Sequence, residues 1–372
     1  MKSDGREVYE CVLVYSDDLI MIGIKPKEIA AKIDAVYKFK AKAAEPTQYL
    51  GSNVGTMDLP NGVRSWYMAS DEYTKSAIGN VEDWLNKKDN GLRLPTKTAC
   101  TFPSKWKPEL DVSKELGPDD ASYYQQQIGV LRWIVELGRI DVCTEVSMLA
   151  AFSANPREGH LAAVLHLFAH LKGNPKSKTV FDPTPMEHEP HAEHDWSDFY
   201  NDYKELEPHD MPEPRGNPLQ MTCFVDSDHA GDAVSRRSRT GVLIFLNKAP
   251  IIWHSKKQNS IETSSFGSEF TAMKVAVELS EGLRYKLRMM GVPLDGPTHI
   301  KADNMSVINN TSRPESMLKK KSNSIAYNYV RERAAMGVIV VSYENTETNL
   351  ADMLTKIQPG PTRQKLVSQV LY

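Results

Sequence analysis

Cysteine is scarce in this chain. Four occur in 372 residues, Cys11, Cys100, Cys143 and Cys223, far apart and without a CxxC pair. That spacing excludes a disulfide framework and a thiolate zinc site, and reduced thiols are expected. Long apolar runs are missing too. No stretch approaches the roughly 20 residues a membrane span needs, and Met1-Lys-Ser-Asp-Gly5 lacks the apolar centre of a signal peptide, so an intracellular protein with no membrane partner is expected. Charge of one sign is also absent overall, with 45 Lys and Arg against 48 Asp and Glu. The balance conceals an asymmetry. Residues 182–220 hold 11 acids and 2 Lys or Arg, whereas 221–372 hold 20 Lys or Arg and 14 acids, so the second segment has basic surface to offer a phosphate backbone. What is present is 41% hydrophobic content, enough for the cores of two or three domains.

The chain's organising stretch is 222–352, because four acids recur there at element ends. Asp226 ends the apolar run Cys223-Phe-Val225, a short strand. Thr240–Leu246 and Pro250–Trp253 read as two more strands joined at Asn247-Lys248, making an antiparallel meander. Glu269 lies in the first turns of a long helix expected to open at Ser264-Ser265 and close at Gly291, a serine start and a glycine stop. Asp303 follows the strand Thr298–Ala302, and Asp352 opens a short helix after the strand Gly337–Tyr343. Singly, each acid reads as a solvated surface residue. Together they have a chemical meaning: in-line phosphodiester hydrolysis uses two divalent ions about 4 Å apart, and hard Mg²⁺ or Mn²⁺ takes oxygen ligands. Without cations, such crowding is costly.

Upstream, Val12–Tyr15 and Leu19–Ile22 read as strands flanking Ser16-Asp17-Asp18, which is also good turn chemistry. Lys25–Lys42 is an amphipathic helical pattern. A hairpin is expected around Pro60-Asn-Gly62 and a helix over Asp71–Lys87, followed by loop to Asp120. Tyr123–Lys172 is helical in pattern. His166 and His170 stand at i and i+4, but no acid lies between them in the HExxH manner, and core or surface histidines are the expectation. Residues 181–220 contain 7 of the 22 prolines with His188, His191, His194 and His209. That composition reads as a flexible linker, with an acidic strap competing with nucleic acid as a further possibility.

Val225-Asp-Ser-Asp-His-Ala-Gly-Asp232, Ser235–Gly241, Trp253-His-Ser-Lys-Lys-Gln258, Ser264–Phe270, Ala302-Asp-Asn304 and Asn349-Leu-Ala-Asp-Met-Leu-Thr-Lys356 together resemble the RNase H domain of Ty1/copia-type retrotransposon polyproteins, over essentially all of 221–372. The resemblance implies an α/β (α+β) fold, a C-terminal RNase H-like domain with a mixed five-stranded sheet and flanking helices. It also implies that Asp226, Glu269, Asp303 and Asp352 are catalytic and hold two Mg²⁺ (or Mn²⁺), and that the substrate is an RNA–DNA hybrid. Tyr15-Ser-Asp17-Asp18 resembles the YxDD hairpin of reverse transcriptases, with Asp17 and Asp18 on that motif's acids. Arg139-Ile-Asp141 and its surroundings resemble the helical connection between polymerase and nuclease, where the family usually has Arg-Pro-Asp.

The implied organisation is a palm-hairpin remnant in 1–25, a palm-end and thumb-like segment in 26–120, a helical connection in 121–181, the acidic linker in 182–220 and the RNase H domain in 221–372. Only 14 residues precede Tyr15, so the chain is expected not to polymerise DNA alone and to find its missing polymerase part as a partner. Retroelement location implies cytoplasm or nucleus. Phosphate contacts are expected from Lys256, Lys257, Lys319, Lys320 and Lys321, and from Arg236, Arg237 and Arg239. Two departures from the family bear on rate: Asn323-Ser-Ile325 where relatives carry a His, and no His between Tyr343 and Leu350. A relic that binds nucleic acid without cleaving it is the alternative. A transposase-like DNA nuclease is disfavoured because helical Glu269 precedes Asp303.

Overall fold

The computed structural model describes residues 2–3, 6–40, 43–88, 93–95, 98, 100–103, 106–175, 178–190, 194–201, 203–318 and 321–372. Near the start, β1 (Cys11–Tyr15) and β2 (Asp18–Ile22) pair with Tyr15 opposite Asp18. Ser16 takes φ 51°, the left-handed backbone that tight two-residue turns demand. Helix α1 (Pro26–Val36) stops short of the expected Lys42. The Asp34 carboxylate accepts the Phe39 N–H at 2.8 Å, a side-chain bond that competes with helical continuation. β3 (Ser52–Asp58) and β4 (Arg64–Ala69) form the expected hairpin, and α2 (Asp71–Lys88) follows.

The helical pattern of 123–172 resolves into α3 (Pro118–Glu136), α4 (Cys143–Ala150) and α5 (Glu158–Gly173). β5 (Lys178–Val180) then returns to pair with β4.

The largest sheet comes from β6 (Met221–Asp228), β7 (Arg239–Leu246), β8 (Ala249–Lys257), β9 (Thr298–Ala302) and β10 (Ile339–Tyr343). Its order is β8-β7-β6-β9-β10, antiparallel among the first three and parallel from β6 onward. The mixed five-stranded sheet with flanking helices is therefore present. Helix α6 (Ser265–Met289) connects meander to crossover. Its start is capped by Ser264, whose hydroxyl accepts the Gly267 N–H at 3.2 Å, and Gly291 beyond its end takes φ +69°, as such a stop requires. Helices α7 (Met305–Ser312), α8 (Ser324–Ala335) and α9 (Gly360–Val367) complete the unit.

Strand alternation divides the core. Cys223, Val225, Val242 and Ile244 pack with Phe270, Met273, Val277 and Val330 on one face. Phe224, Leu243 and Phe245 enter the other cluster, with Leu131, Val146, Leu167 and Phe168 of the helical connection and with Leu350 and Leu354. The connection thus forms the second covering layer of the sheet.

The described residues of 182–220, a segment read as a flexible linker, lie along the protein. Its composition offers few apolar anchors, and polar ones replace them. Glu205 receives two bonds from Arg284, at 2.8 and 2.6 Å, and one from Arg288 at 2.7 Å. Asn247 donates to the Pro183 carbonyl, and Arg215 N–H to that of Gly291. His188 stacks on His299 at 3.8 Å, while His191 lies outside the described residues. Burial would raise the Glu205 carboxyl, but the two guanidiniums outweigh it and hold the group down to about 2. Arg284 is 15 residues beyond Glu269 on α6, roughly 22 Å along its axis. At this contact the strap sits far from the acids.

Candidate active site

Parallel pairing aligns Lys301 with Phe224. Two residues further on, Asp303 leaves β9 beside Asp226 on β6. Glu269 arrives from the first turns of α6. One carboxylate oxygen from each of Asp226, Glu269 and Asp303 lies within 4.8 Å of the others, so the sequence-predicted trio converges. Thr355 Oγ1 donates to Asp226 Oδ2, and Thr346 Oγ1 to Asp303 Oδ2 at 2.8 Å. Burial first, then the neighbouring acids, push Asp226 up to about 7 and Glu269 up to about 9. An all-oxygen donor set under mutual repulsion suits a hard divalent cation.

Asp352 lies in a 3-10 turn, Leu350–Leu354, and is not one of the converging trio. It adjoins Asp226, whose carboxyl its charge raises. The turn is held by Asn349, whose side chain accepts the Ala351 N–H at 3.1 Å and donates to the Val225 carbonyl at 3.0 Å. It also needs Gly241, which pairs with Asp226: a Cβ there would meet Thr355 Cγ2 at 2.7 Å and the Ala351 carbonyl at 2.8 Å. Asp352 Oδ1 accepts from Lys356 at 2.8 Å, and Oδ2 from Gln358 at 3.1 Å. Buried Gln258 donates to Thr240 and to the Ser268 carbonyl, fastening the end of β8 to the start of α6. Sequence reasoning gave no role to Thr346, Thr355, Lys356 or Gln358. Thr355 and Lys356 lie in the Asn349–Lys356 motif and Gln358 just beyond it, and Lys356 stands four residues after an acid, a spacing that signals a pair.

The other candidates separate. Asp17 and Asp18 are exposed at their turn, and among the described residues no third acid, His or Cys joins them to form a metal-sized group. Lys256 and Lys321 are exposed; Lys257 is paired with Asp232 at 2.9 Å; Lys319 and Lys320 lie outside the described residues. Arg236 and Arg237 are exposed, but Arg239 is buried and donates to Ser147 and Ser255. Its place on β7, against the connection, removes it from the phosphate-contact set. His170 accepts from Arg363 at 2.9 Å and is driven down to about 3 by burial and that guanidinium. His166 meets the Cys100 carbonyl. Neither histidine belongs to a metal-sized group among the described residues. Nor is any helix among those residues long and apolar enough to cross a membrane.

No family model matches the chain. It is similar to the Retrovirus-related Pol polyprotein from transposon RE1 of Arabidopsis thaliana, 23% identical over 360 residues that cover 96% of this chain and 21% of that protein. It is likewise similar to the Retrovirus-related Pol polyprotein from transposon TNT 1-94 of Nicotiana tabacum, 23% identical over 350 residues, or 94% of this chain and 23% of that protein. The chain thus spans about a fifth of the length of these relatives. Among solved structures, LC11-RNase H1 in complex with an RNA/DNA hybrid is 16% identical, covering 37% of this chain and 94% of that one with a TM-score of 0.30. The resemblance to Ty1/copia-type retrotransposon polyproteins therefore extends along nearly the whole chain.

Proposed function

We propose that this relative of transposon Pol polyproteins is a ribonuclease H, hydrolysing the RNA strand of RNA–DNA hybrids with two Mg²⁺ or Mn²⁺ ions. The carrying observation is the convergence of Asp226, Glu269 and Asp303 within 4.8 Å. These acids and Asp352 would hold the divalent ions, whose chemistry there would be to activate water and stabilise charge for in-line displacement. The chain's own residues prepare the place. Parallel strands fix Asp226 and Asp303, the capped start of α6 fixes Glu269, and Thr355 and Thr346 each engage one carboxylate oxygen while the other remains for a cation.

Exposed Lys256 supports a phosphate-facing rim. It lies opposite Thr240, which lies opposite Ser227, two strand spacings or about 10 Å from the residue beside Asp226. Choice of hybrid over duplex DNA rests on 2′-hydroxyls and groove shape. The polymerase-like hairpin takes no part in this reading.

The test is cleavage of labelled RNA–DNA hybrid by the purified chain in Mg²⁺ and in Mn²⁺, beside duplex DNA and duplex RNA. Hybrid-only cleavage is expected, with Asp303→Asn and Glu269→Gln each slowing it at least roughly a hundredfold, the upper end of losses from residues that merely support metal ligands. Full rate in Glu269→Gln would remove Glu269 from the site. Tight hybrid binding without cleavage would favour a relic, and cleavage of duplex DNA a transposase-like enzyme.

A further inference from the structure

Asp352 and Lys356 divide the four acids unevenly. Asp226, Glu269 and Asp303 open onto one shared position. Asp352 instead has both oxygens engaged, one by the Lys356 ammonium and the other by Gln358. Lys356 reaches back over one turn and is 41% exposed in its side chain, so it has a path to solvent, whereas its partner is 7% exposed. Its charge acts on Asp226, Asp228 and Glu269 as well. One cation, tethered by the chain, thus stands among carboxylates from β6, α6 and the 3-10 turn.

We infer that Lys356 is a built-in counter-ion at the Asp226–Asp352 side of the site, which a second divalent ion must displace. The first ion enters at the trio without disturbing Lys356. The second gains Asp352 only when the ammonium swings away, so the lysine sets the order of loading and weakens the second affinity relative to the first. This rests on the two-ion reading above. Its chemistry is a like-charge competition: an ammonium and a divalent ion a few ångströms apart repel, and the ion pair with Asp352 must break before that carboxylate can serve as a ligand.

The experiment measures Mn²⁺ binding to the whole chain, by electron paramagnetic resonance of free Mn²⁺ and by calorimetry, without nucleic acid. Wild type is expected to bind one ion more tightly than a second. Lys356→Gln should strengthen the second by roughly tenfold or more and the first by a smaller factor, and Lys356→Arg, which keeps the charge, should retain the wild-type pattern. Lys356→Met provides a second neutral variant should Gln reproduce the hydrogen bond. A second affinity that is unchanged or weaker in both neutral variants, with two ions still bound, overturns the inference alone. Absence of Mn²⁺ binding in every variant, wild type included, overturns the two-ion reading and this inference with it.

Discussion

Gly241 shows how one absent side chain positions the last acid. Its space is taken by Thr355 and the Ala351 carbonyl, and the second of these is backbone, which cannot rotate away. Gly241→Ala must therefore push the 3-10 turn off β7, separating Asp352 and Thr355 from Asp226. The expected cost is about 1–3 kcal/mol, the range for overpacking, with Mn²⁺ affinity falling in the same variant. A denaturant midpoint together with an ion titration checks both; wild-type values in each would show that the turn is not seated on Gly241. The convergence of Asp226, Glu269 and Asp303 was legible in the sequence because each stands at the end or the start of an element. Gly241 was visible only as part of a quoted motif. The need for it arises from a segment 110 residues later, and single-strand patterning carries no information about what crosses a strand.

Among elements, the segment around Glu205 departs most from its sequence reading. Prolines and acids describe a chain that cannot bury apolar area, but they say nothing of two arginines on a helix 79 and 83 residues away. Arg284 is 3% and Arg288 13% exposed in their side chains, so Glu205→Ala leaves Arg284 with the Gly296 carbonyl but no carboxylate and Arg288 with only Glu207 at 3.8 Å, a loss of about 3 kcal/mol. The pH dependence has a definite sign. The folded carboxyl is held at about 2, below its ordinary value of 4.5, so its stabilisation is complete above about pH 4.5 and falls away as pH drops toward 2. Urea midpoints of wild type should decline through that window more steeply than those of Glu205→Gln; parallel curves would show that the ion pair contributes nothing. Helix α6, in contrast, was read almost to the residue, because its Ser264 cap and Gly291 stop are local signals. α1 was overread by several residues, since the Asp34 to Phe39 bond that ends it is a side-chain choice invisible to apolar periodicity.

Across the whole molecule, the boundary expected near residue 220 does not divide the core. Phe224, Leu243 and Phe245 of the sheet share one cluster with the helices of 118–173. Polar contacts stitch the same seam: Thr144 donates to the Met353 carbonyl at 2.8 Å, Ser147 to that of Ser255 at 2.7 Å. Arg363 on α9 reaches Asp141 at 3.3 Å, and Asp141 is already paired with Arg139, which is 1% exposed. Burial would raise the Asp141 carboxyl, but Arg139 and Arg363 hold it well below the usual carboxylate range. A segment of 221–372 alone would expose that apolar face and leave Arg363 without its partner. It is therefore expected to be insoluble or to bind a hydrophobic dye, whereas a segment of 48–372, which keeps Ile78, Val81, Leu85 and Phe102 of the same cluster, unfolds in one cooperative step, with tryptophan fluorescence and far-ultraviolet circular dichroism superimposing. Asp141→Ala in the full chain should reproduce part of the defect, losing about 3–5 kcal/mol as two buried guanidiniums lose their carboxylate. A soluble, dye-negative 221–372 with the ion affinity of the full chain would show that the sheet needs no second layer. The converse outcome would make the helices of 118–173 part of the five-stranded sheet's folding unit, and the position of Asp352 a property of both.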